Sequence, residues 1–508
     1  MLCACAMTDT SLRFQIDALE QNALEVLCMT RSIKNALAPI NQVPPEVISL
    51  IPDYCETEEE LIALTHVCRS WREIFISRAS LWTFLDCTDL DKTNAYIQRS
   101  RGSPLEISFA PPGLLCRRDA FDLTLPFIGR FKALTLSGFS RNIIELTKHL
   151  GTPAPLLDKL DIQVRTPDAV TNEGILFGGD LSSLRELCLH GIIPDLPWQN
   201  MTNVTTFDFR HAPEYSITTT QLLNFFEHAP LCEITLVESF PHSSDAPAER
   251  TVSLPHLKLF RIRSFSPHSA VLNHLHIPIG ALVTMEFELD SDTCPIQHHF
   301  PRSLDNLGNI SHITSINLDF YDRMSMRLQG PSGGLYALGF CDGIPDSLES
   351  EHLVLQSLRK FPISTIERFT MGFLSVDTEN GGPVYQTLLL MENLRTLVLG
   401  DFDHTSFVSA LNPNRNASNV VICPKLEELS FIIESPYINE ISEMAKVRAL
   451  RGAKLATVVI FSAEEFIPAG VFDLESHVSR VEYKSYETEP RWDFLPGEDE
   501  DDGYDSSW

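Results

Sequence analysis

One spacing of apolar residues recurs along most of the chain and limits what the chain can fold into. The pattern apolar-x-x-apolar-x-apolar occurs thirteen times between residues 131 and 483. Successive copies lie 20 to 32 residues apart, except for one double step of 53 residues that ends at residue 371. Single triplets arise by chance in a chain that is 44% hydrophobic, but an evenly spaced series does not. A unit of this length cannot bury both faces of its own strand, so neighbouring units must stack.

Short helical segments fall between these triplets, for example at residues 141–146 and 220–226. A strand followed by a helix at this period resembles a leucine-rich repeat, although the Asn or Cys that is usual at the tight bend is absent. We therefore predict an α/β fold in which residues 129–486 form an irregular, leucine-rich-repeat-like solenoid with a curved parallel sheet. A connector precedes it at residues 86–128. The alternative is an α/β sheet domain, which would not keep the spacing even.

The double step contains the glycine-rich sequence QGPSGGLYALGF. Glycines between two apolar runs are typical of a tight turn between paired strands. We expect an inserted hairpin within about residues 321–362 rather than a missing repeat.

Residues 1–38 are predicted to form an amphipathic helix that begins near Ser11. No Pro or Gly interrupts it, and its apolar positions recur at alternating steps of three and four residues. These positions are Ile16, Leu19, Ala23, Val26, Thr30, Ile33 and Leu37. Two interpretations are open, because the stripe can pack on the following domain or form a short coiled coil. Ala and Thr at two of the seven positions favour packing or a weak pairing.

Residues 39–85 have the pattern of a small helical domain. Pro44 and Pro45 stand where a first helical turn tolerates a missing N–H. Thr57 and Glu60 have capping-box spacing, which predicts the start of a second helix. The apolar residues of that helix fall on one face, and they are Leu61, Leu64, Cys68, Trp71 and Phe75. A short third element carries Leu81 and Trp82.

This helical domain resembles an F-box. The family pattern runs from a Leu-Pro start through Glu and an Ile/Leu pair to a Val-Cys-x-x-Trp helix and a closing Leu-Trp. The matching residues here are Val43, Pro44, Pro45, Glu46, Val47, Ile48, Ile51, Leu61, Leu64, Val67, Cys68, Arg69, Trp71, Arg72, Leu81 and Trp82. With its divergent repeats, the chain is similar to the large fungal group of F-box proteins. Pro52 departs from the pattern, since it stands where a large apolar residue is usual, and it predicts that the first helix ends near Ile51.

The resemblance implies a non-catalytic substrate receptor of an SCF-type cullin–RING ubiquitin ligase. The F-box would bind a Skp-type adaptor and through it a cullin, while the repeats hold a target protein. The residues predicted to bind the adaptor are Val43, Pro44, Pro45, Val47, Ile48, Ile51, Leu64, Val67 and Trp71. Val43, Pro44, Ile48 and Ile51 are expected to be exposed, because so small a domain cannot cover all its apolar surface. The alternative is a repeat-based interaction scaffold outside ubiquitylation, with an F-box that is degenerate at Pro52.

The composition and the absence of known motifs exclude several classes of partner and activity. A net charge of -29 disfavours nucleic acid and membrane surfaces as partners. No nucleotide-binding, zinc-protease or serine-hydrolase motif occurs, so we predict no cofactor, no metal and no enzymatic activity. The twelve cysteines contain no C-x-x-C pair and are typical of reduced thiols in a cytoplasmic or nuclear protein. Residues 487–508 hold nine acids against one base, which predicts an acidic, disordered tail.

Overall fold

A computed structural model describes most of the chain, which forms two compact units. The first unit is Met1–Leu136 with Ala154–Leu157, and the second is Ser137–Pro153 with Asp158–Trp508. The described residues are 2–110, 117–165, 175–211, 217–239, 245–264, 269–289, 299–301, 303–319, 324–341, 355, 357–372, 382–400, 404–416, 419–432, 438–462 and 471–485. The predicted acidic tail at residues 487–508 lies outside them.

The first unit contains a helical N-terminal region and three short strands. Its α-helices are α1 (Leu2–Ala36), α2 (Pro45–Ile48), α3 (Glu58–His66), α4 (Arg69–Ser77), α5 (Leu90–Ser100) and α6 (Arg118–Asp122). Its 3₁₀-helices are Pro39–Gln42, Ile51–Tyr54, Ala79–Trp82 and Leu125–Arg130. The strands β1 (Phe84–Leu85), β2 (Leu105–Phe109) and β3 (Phe131–Gly138) pair parallel in the order β1-β2-β3.

The long N-terminal helix starts earlier than its pattern predicts, at Leu2. Every described side chain from Leu12 to Leu37 is exposed, so the apolar stripe is not packed on the domain that follows it. The packing interpretation is therefore wrong for these residues, and the coiled-coil interpretation stays open.

The sheet extends into the segment that the spacing assigns to a connector. Strand β2 has buried Leu105, Ile107 and Phe109 on one face and pairs with β3. The apolar triplet missed it because Leu105, which lies opposite the first anchor Phe131, stands two residues before Ile107 instead of three.

The second unit alternates strands with helical connections. Its α-helices are α7 (Ser140–Thr147), α8 (Thr219–His228), α9 (Ser269–Leu272), α10 (Gly382–Leu389), α11 (Thr405–Leu411), α12 (Ile438–Leu450) and α13 (Val471–His477). Its strands are β4 (Lys159–Val164), β5 (Glu186–His190), β6 (Thr206–Arg210), β7 (Glu233–Val237), β8 (Val252–Ser253), β9 (Leu259–Ser264), β10 (Leu275–His276), β11 (Leu282–Leu289), β12 (Ser315–Asp319), β13 (Met324–Gln329), β14 (Gly334–Cys341), β15 (Arg368–Met371), β16 (Thr396–Leu399), β17 (Glu428–Ile432), β18 (Thr457–Ser462) and β19 (Arg480–Ser485). Some connections are 3₁₀-helices instead, at Leu176–Gly179, Trp198–Asn200, Gly308–Ile310 and Ile363–Thr365.

Parallel pairing stacks the predicted anchors on one another. The order is β4-β5-β6-β7-β9-β11-β14-β13-β12-β15-β16-β17-β18-β19, and β8 pairs with β10 separately. Leu187 lies opposite both Leu160 and Phe207, and Leu397 lies opposite both Phe369 and Leu429. All are buried. The helical N-terminus followed by a large, mainly parallel α/β repeat region confirms the predicted fold class.

For one triplet, the spacing places the second and third anchors two residues too far along the chain. The pattern selects Leu282, Met285 and Phe287. In the sheet, Val283 lies opposite Phe260 and Met285 lies opposite Ile262, so Val283 takes the place of the second anchor. Leu282 is exposed as a result.

The glycine-rich stretch forms a hairpin that becomes part of the sheet. Strands β13 and β14 pair antiparallel, and β14 then pairs parallel with β11. Strand β12 follows β11 in the chain but lies three strands away, beside β13 and β15. The hairpin turn closes with a hydrogen bond from the Gly330 N–H to the Gly333 carbonyl, at 2.9 Å.

We expect Gly333→Ala to destabilise the second unit. A Cβ at this position would lie 2.1 Å from the Ile279 carbonyl oxygen and 2.8 Å from the Ala281 carbonyl oxygen, so backbone must move. The expected loss in the free energy of unfolding is about 2 kcal/mol, measured by thermal or urea denaturation. Gly129→Ala is the matched control, because nothing lies within 4 Å of its Cβ. Equal stability of the two variants would contradict the described packing of the turn.

Candidate functional site

Three helices build a small domain around one apolar core. Ile48 on α2 and Trp71 and Phe75 on α4 are buried together. Partly buried side chains pack against them, namely Val43, Ile51, Leu64, Cys68, Ile74 and Leu81. The domain brings together five of the residues predicted to bind an adaptor, but it uses them mainly to hold its own helices in place.

Trp71 occupies the centre of this core. Its ring meets the Phe75 ring edge to face, with the centroids 5.6 Å apart. The indole N–H donates a hydrogen bond of 2.7 Å to the Asn41 side-chain oxygen, so burial leaves no unpaired donor. Only 7% of Trp71 is exposed. The residue is therefore a structural anchor of the domain.

Local capping and one arginine set the positions of the helices. The Thr57 hydroxyl accepts a bond from the Glu60 N–H at 3.3 Å, and the Glu60 carboxylate accepts from the Thr57 N–H, which forms the predicted capping box. Arg78, after α4, donates to the Ser49 carbonyl and, at 2.7 Å, to the Asp53 carboxylate. The end of α4 is thereby tied to the chain that follows α2.

The first helix ends before Pro52, but three residues earlier than the predicted end near Ile51. Helix α2 ends at Ile48, and the chain continues as the 3₁₀-helix Ile51–Tyr54. Pro52 lies in the first turn of that 3₁₀-helix, where no N–H is required, and it is buried. The proline is accommodated without disrupting the core.

The structure separates the predicted adaptor-binding residues by exposure. Pro44, Pro45, Val47 and Val67 are exposed, whereas Val43, Ile51 and Leu64 are half-buried. The expectation that Ile48 is exposed is wrong, because it is 3% exposed at the centre of the core. The side chains of a single helical turn point in all directions, so the sequence alone does not show which of them faces the core. Adaptor binding by any of these residues stays a prediction.

Other exposed apolar side chains in this domain have no place in the sequence prediction. Ile40, Leu50 and Tyr54 are exposed, as Val47 and Val67 are. Leu50 and Tyr54 lie within seven residues of Val47, so the sequence does show apolar residues here. They were not predicted as binding residues because they fall outside the family pattern. Together these five residues define the exposed apolar set of the domain.

A half-buried charge cluster joins this domain to the segment that follows it. The Lys92 ammonium lies 2.6 Å from the Glu58 carboxylate and 2.7 Å from the Asp86 carboxylate. The Tyr96 hydroxyl donates to Glu58, and burial together with that carboxylate raises the pKa of Tyr96. Burial raises the pKa of Asp86, but hydrogen bonds from Lys92 and Thr88 outweigh it, so the net pKa is lowered. These links hold the start of α3 against α5 and β1.

The repeat region presents polar side chains between its buried anchors. In-register pairing aligns Asp161, Cys188 and Asp208 in one row, and Gln163, His190 and Arg210 in the next. Arg210 forms a bidentate ion pair with Asp208, with both N–O distances at 2.8 Å. We call these two rows, with His211 directly after Arg210 and with Arg261 and Arg263 on β9, the polar strand face.

Partial burial shifts the pKa values of three side chains on this face, Cys188, His190 and His211. Burial raises the pKa of the Cys188 thiol to about 12, and Asp161 and Asp208 add to the shift, so this thiol stays protonated. Burial lowers the pKa of His190 to about 4, with Arg210 and His211 acting in the same direction. The His190 and His211 rings lie 5.5 Å apart, and burial also lowers the pKa of His211. Both imidazoles are neutral at physiological pH.

The described residues hold neither a metal-binding cluster nor a membrane-spanning helix. Among the described residues, no group of three or more His, Cys, Asp or Glu side chains is placed to hold a metal ion. None of the helices in the described ranges is long and apolar enough to cross a bilayer.

Comparison with known proteins places one family in the chain. The F-box-like family model matches residues 40–88, which confirms the resemblance that the sequence of residues 39–85 carries. The chain therefore contains an F-box-like domain, a non-catalytic module for protein–protein interaction. No curated protein sequence matches the chain.

We expect the second unit to lose stability as the pH falls from about 6.5 toward 4. A histidine whose pKa is lowered on folding binds its proton more tightly when unfolded, so acid favours unfolding. The melting temperature should fall between about pH 7 and pH 5, and His190→Gln should reduce that difference. His228→Gln, at an exposed position, is the control and should leave it unchanged. An unchanged pH dependence in His190→Gln would contradict the neutral, buried imidazole.

Proposed function

We propose that the chain is a substrate receptor of an SCF-type cullin–RING ubiquitin ligase. Its F-box-like domain would bind a Skp-type adaptor, and its repeat region would hold a target protein. The mechanism is proximity, since a receptor that holds a target beside a ubiquitin-loaded enzyme raises the effective concentration of the target without contributing a catalytic residue.

The exposed apolar set of the F-box-like domain carries this proposal. Ile40, Val47, Leu50, Tyr54 and Val67 remain exposed on a domain whose core is otherwise complete. Exposed apolar side chains concentrated in so short a segment are typical of a surface that a partner covers. Two ion pairs, Lys92 with Glu58 and Arg78 with Asp53, hold the helices of this domain in place. A rigid domain loses less conformational entropy when it binds.

The polar strand face is the part of the repeat region best suited to a target. Its side chains are positioned by the register of the sheet, and the bidentate pair of Arg210 with Asp208 fixes two of them. Arg261 and Arg263 are exposed beside them. Charges in fixed positions contribute to specificity and to the association rate more than to raw affinity.

We expect Val47→Asp and Val67→Asp each to abolish capture of a purified Skp-type adaptor by the full chain. A carboxylate buried without a partner at the interface costs several kcal/mol, which is about a thousandfold in affinity. Val420→Asp is the matched control, because Val420 is 51% exposed, close to the 52% of Val47 and the 54% of Val67. The readout is a pull-down followed by calorimetric titration.

Failure of the wild-type chain to bind the adaptor would contradict the proposal. Trp71→Ala is less informative than the valine variants, since removing a buried Trp destabilises the domain itself by about 3–5 kcal/mol. Circular dichroism of each variant separates a lost interface from a lost fold.

The second candidate function is an interaction scaffold outside ubiquitylation. The observation that favours it is the four-residue length of α2, which stops four residues before Pro52. If the shortened helix disables adaptor binding, Pro52→Phe should create it. Capture by the wild-type chain, unchanged or weakened in Pro52→Phe, would instead show that the proline belongs to a working surface.

A further inference from the structure

Helix α1 carries a continuous apolar stripe that the described structure leaves open. The stripe consists of Leu12, Ile16, Leu19, Ala23, Val26, Thr30, Ile33 and Leu37, spaced by strictly alternating steps of four and three residues. All eight side chains are exposed. This 3.5-residue repeat is the spacing that lets two helices wind around each other, and an isolated helix gains most of its stability in water from such packing.

We propose that this stripe pairs with the same stripe of a second copy of the chain, in an antiparallel coiled coil. One register brings all eight positions into contact. In it, Leu12 faces Leu37 of the second copy and Ile16 faces its Ile33. Leu19 then faces Thr30, and Ala23 faces Val26, across the pair. The arrangement is two-fold symmetric about a point between residues 24 and 25.

The sizes of the stripe residues favour the antiparallel direction. The two small members are Ala23 and Thr30, and in this register each lies opposite a larger side chain, Val26 or Leu19. A parallel pair would instead place Ala23 against Ala23 and Thr30 against Thr30, which leaves two poorly filled layers. The Thr30 hydroxyl donates to the Val26 carbonyl of its own helix at 2.8 Å, so it brings no unpaired donor into the seam.

Charges beside the stripe favour the same register. Glu20, Leu27 and Lys34 flank it on one side, each directly after a stripe residue of the d type. Because side chains on a helix lean toward its N-terminus, Glu20 meets Lys34 of the second copy at both ends, and the two Leu27 side chains meet near the axis. Within one chain, Glu20 and Lys34 are about 21 Å apart along the helix, so only a second chain can pair them.

Other arrangements lack this complementarity. In a parallel pair, Glu20 would approach Gln15 and Lys34 would approach Met29, with no opposite charges in contact. An antiparallel pair shifted by seven residues toward the N-terminus would place Lys34 against Arg13 and leave part of the stripe uncovered. The register that covers the stripe is therefore also the one that pairs the charges.

Dimerisation has a geometric consequence for the F-box-like domain. The domain follows the C-terminal end of α1 after a 3₁₀-helix at Pro39–Gln42. An antiparallel pair would carry two such domains at opposite ends of a coiled coil about 40 Å long. The dimer does not require an adaptor, so its test is independent of the proposed ligase function.

The test is the mass of the full chain in solution, by sedimentation equilibrium and by light scattering after size exclusion. The wild-type chain should be a dimer with a micromolar Kd. Leu19→Asp should be a monomer, and any loss of helical circular dichroism should be confined to the 35 residues of α1, because Leu19 is exposed in the single chain and belongs to no folded core. A wild-type chain that stays monomeric at tens of micromolar would overturn the inference.

Charge exchange tests the direction of the helices. Glu20→Lys and Lys34→Glu should each raise the Kd about five- to tenfold, because two attractive pairs become repulsive. An equimolar mixture of the two variants should recover wild-type affinity, since a dimer with one chain of each variant again has opposite charges in contact at both ends of the coiled coil. Glu25→Lys makes the same charge change on the opposite face of α1 and should have no effect. A dimer that is insensitive to Glu20→Lys would overturn the antiparallel register.

Discussion

The structure of the repeat region depends on one constraint, which is that no strand in it can bury its own anchors. Each of Leu187, Phe207 and Ile234 is covered because the strands on both sides carry an apolar residue at the same height. Burying one such side chain contributes about 1.5–3 kcal/mol, and every strand adds two or three of them. Burial is incomplete at the last described strand. Tyr483 on β19 pairs with Ile460 on β18 and is 40% exposed.

This constraint explains how much of the fold could be predicted from the sequence. Anchors that recur at even steps predict strands, and Leu160, Leu187 and Phe207 are buried and aligned as their spacing indicates. What the pattern could not supply is the choice between close alternatives. Val283 and Met285 are both apolar, and only the pairing with Phe260 selects Val283 as the second anchor. The sheet order around the hairpin depends on contacts between segments far apart in the chain, which no local spacing contains.

In the F-box-like domain, helix capping could be predicted from the sequence, but the direction of individual side chains could not. The capping box at Thr57 follows from local chemistry and is present. The single helix predicted to carry Leu61 to Phe75 is wrong, because the chain breaks at Val67 and Cys68 into α3 and α4. The inward direction of Ile48 and the outward direction of Val47 do not follow, because a helix of one turn has no periodicity to read. That choice is made by Trp71 and Phe75, which lie more than twenty residues further along the chain and fill the space beside Ile48. The small helical domain was therefore predictable from the sequence, whereas the exposure of its individual apolar residues required the tertiary structure.

The two units leave different kinds of surface open, and the difference bears on what each can bind. The first unit exposes apolar side chains in two arrangements, a strictly periodic stripe on α1 and an irregular set around α2. A periodic stripe fits another helix, whereas an irregular set requires a partner shaped to it. In the second unit the strands from β4 to β9 expose charged and polar residues whose positions the sheet register fixes, such as Arg210 beside Asp208. Apolar surface favours stable assembly and ordered charges favour discrimination between partners. The proposed dimer and the proposed choice of target would therefore use different parts of the chain.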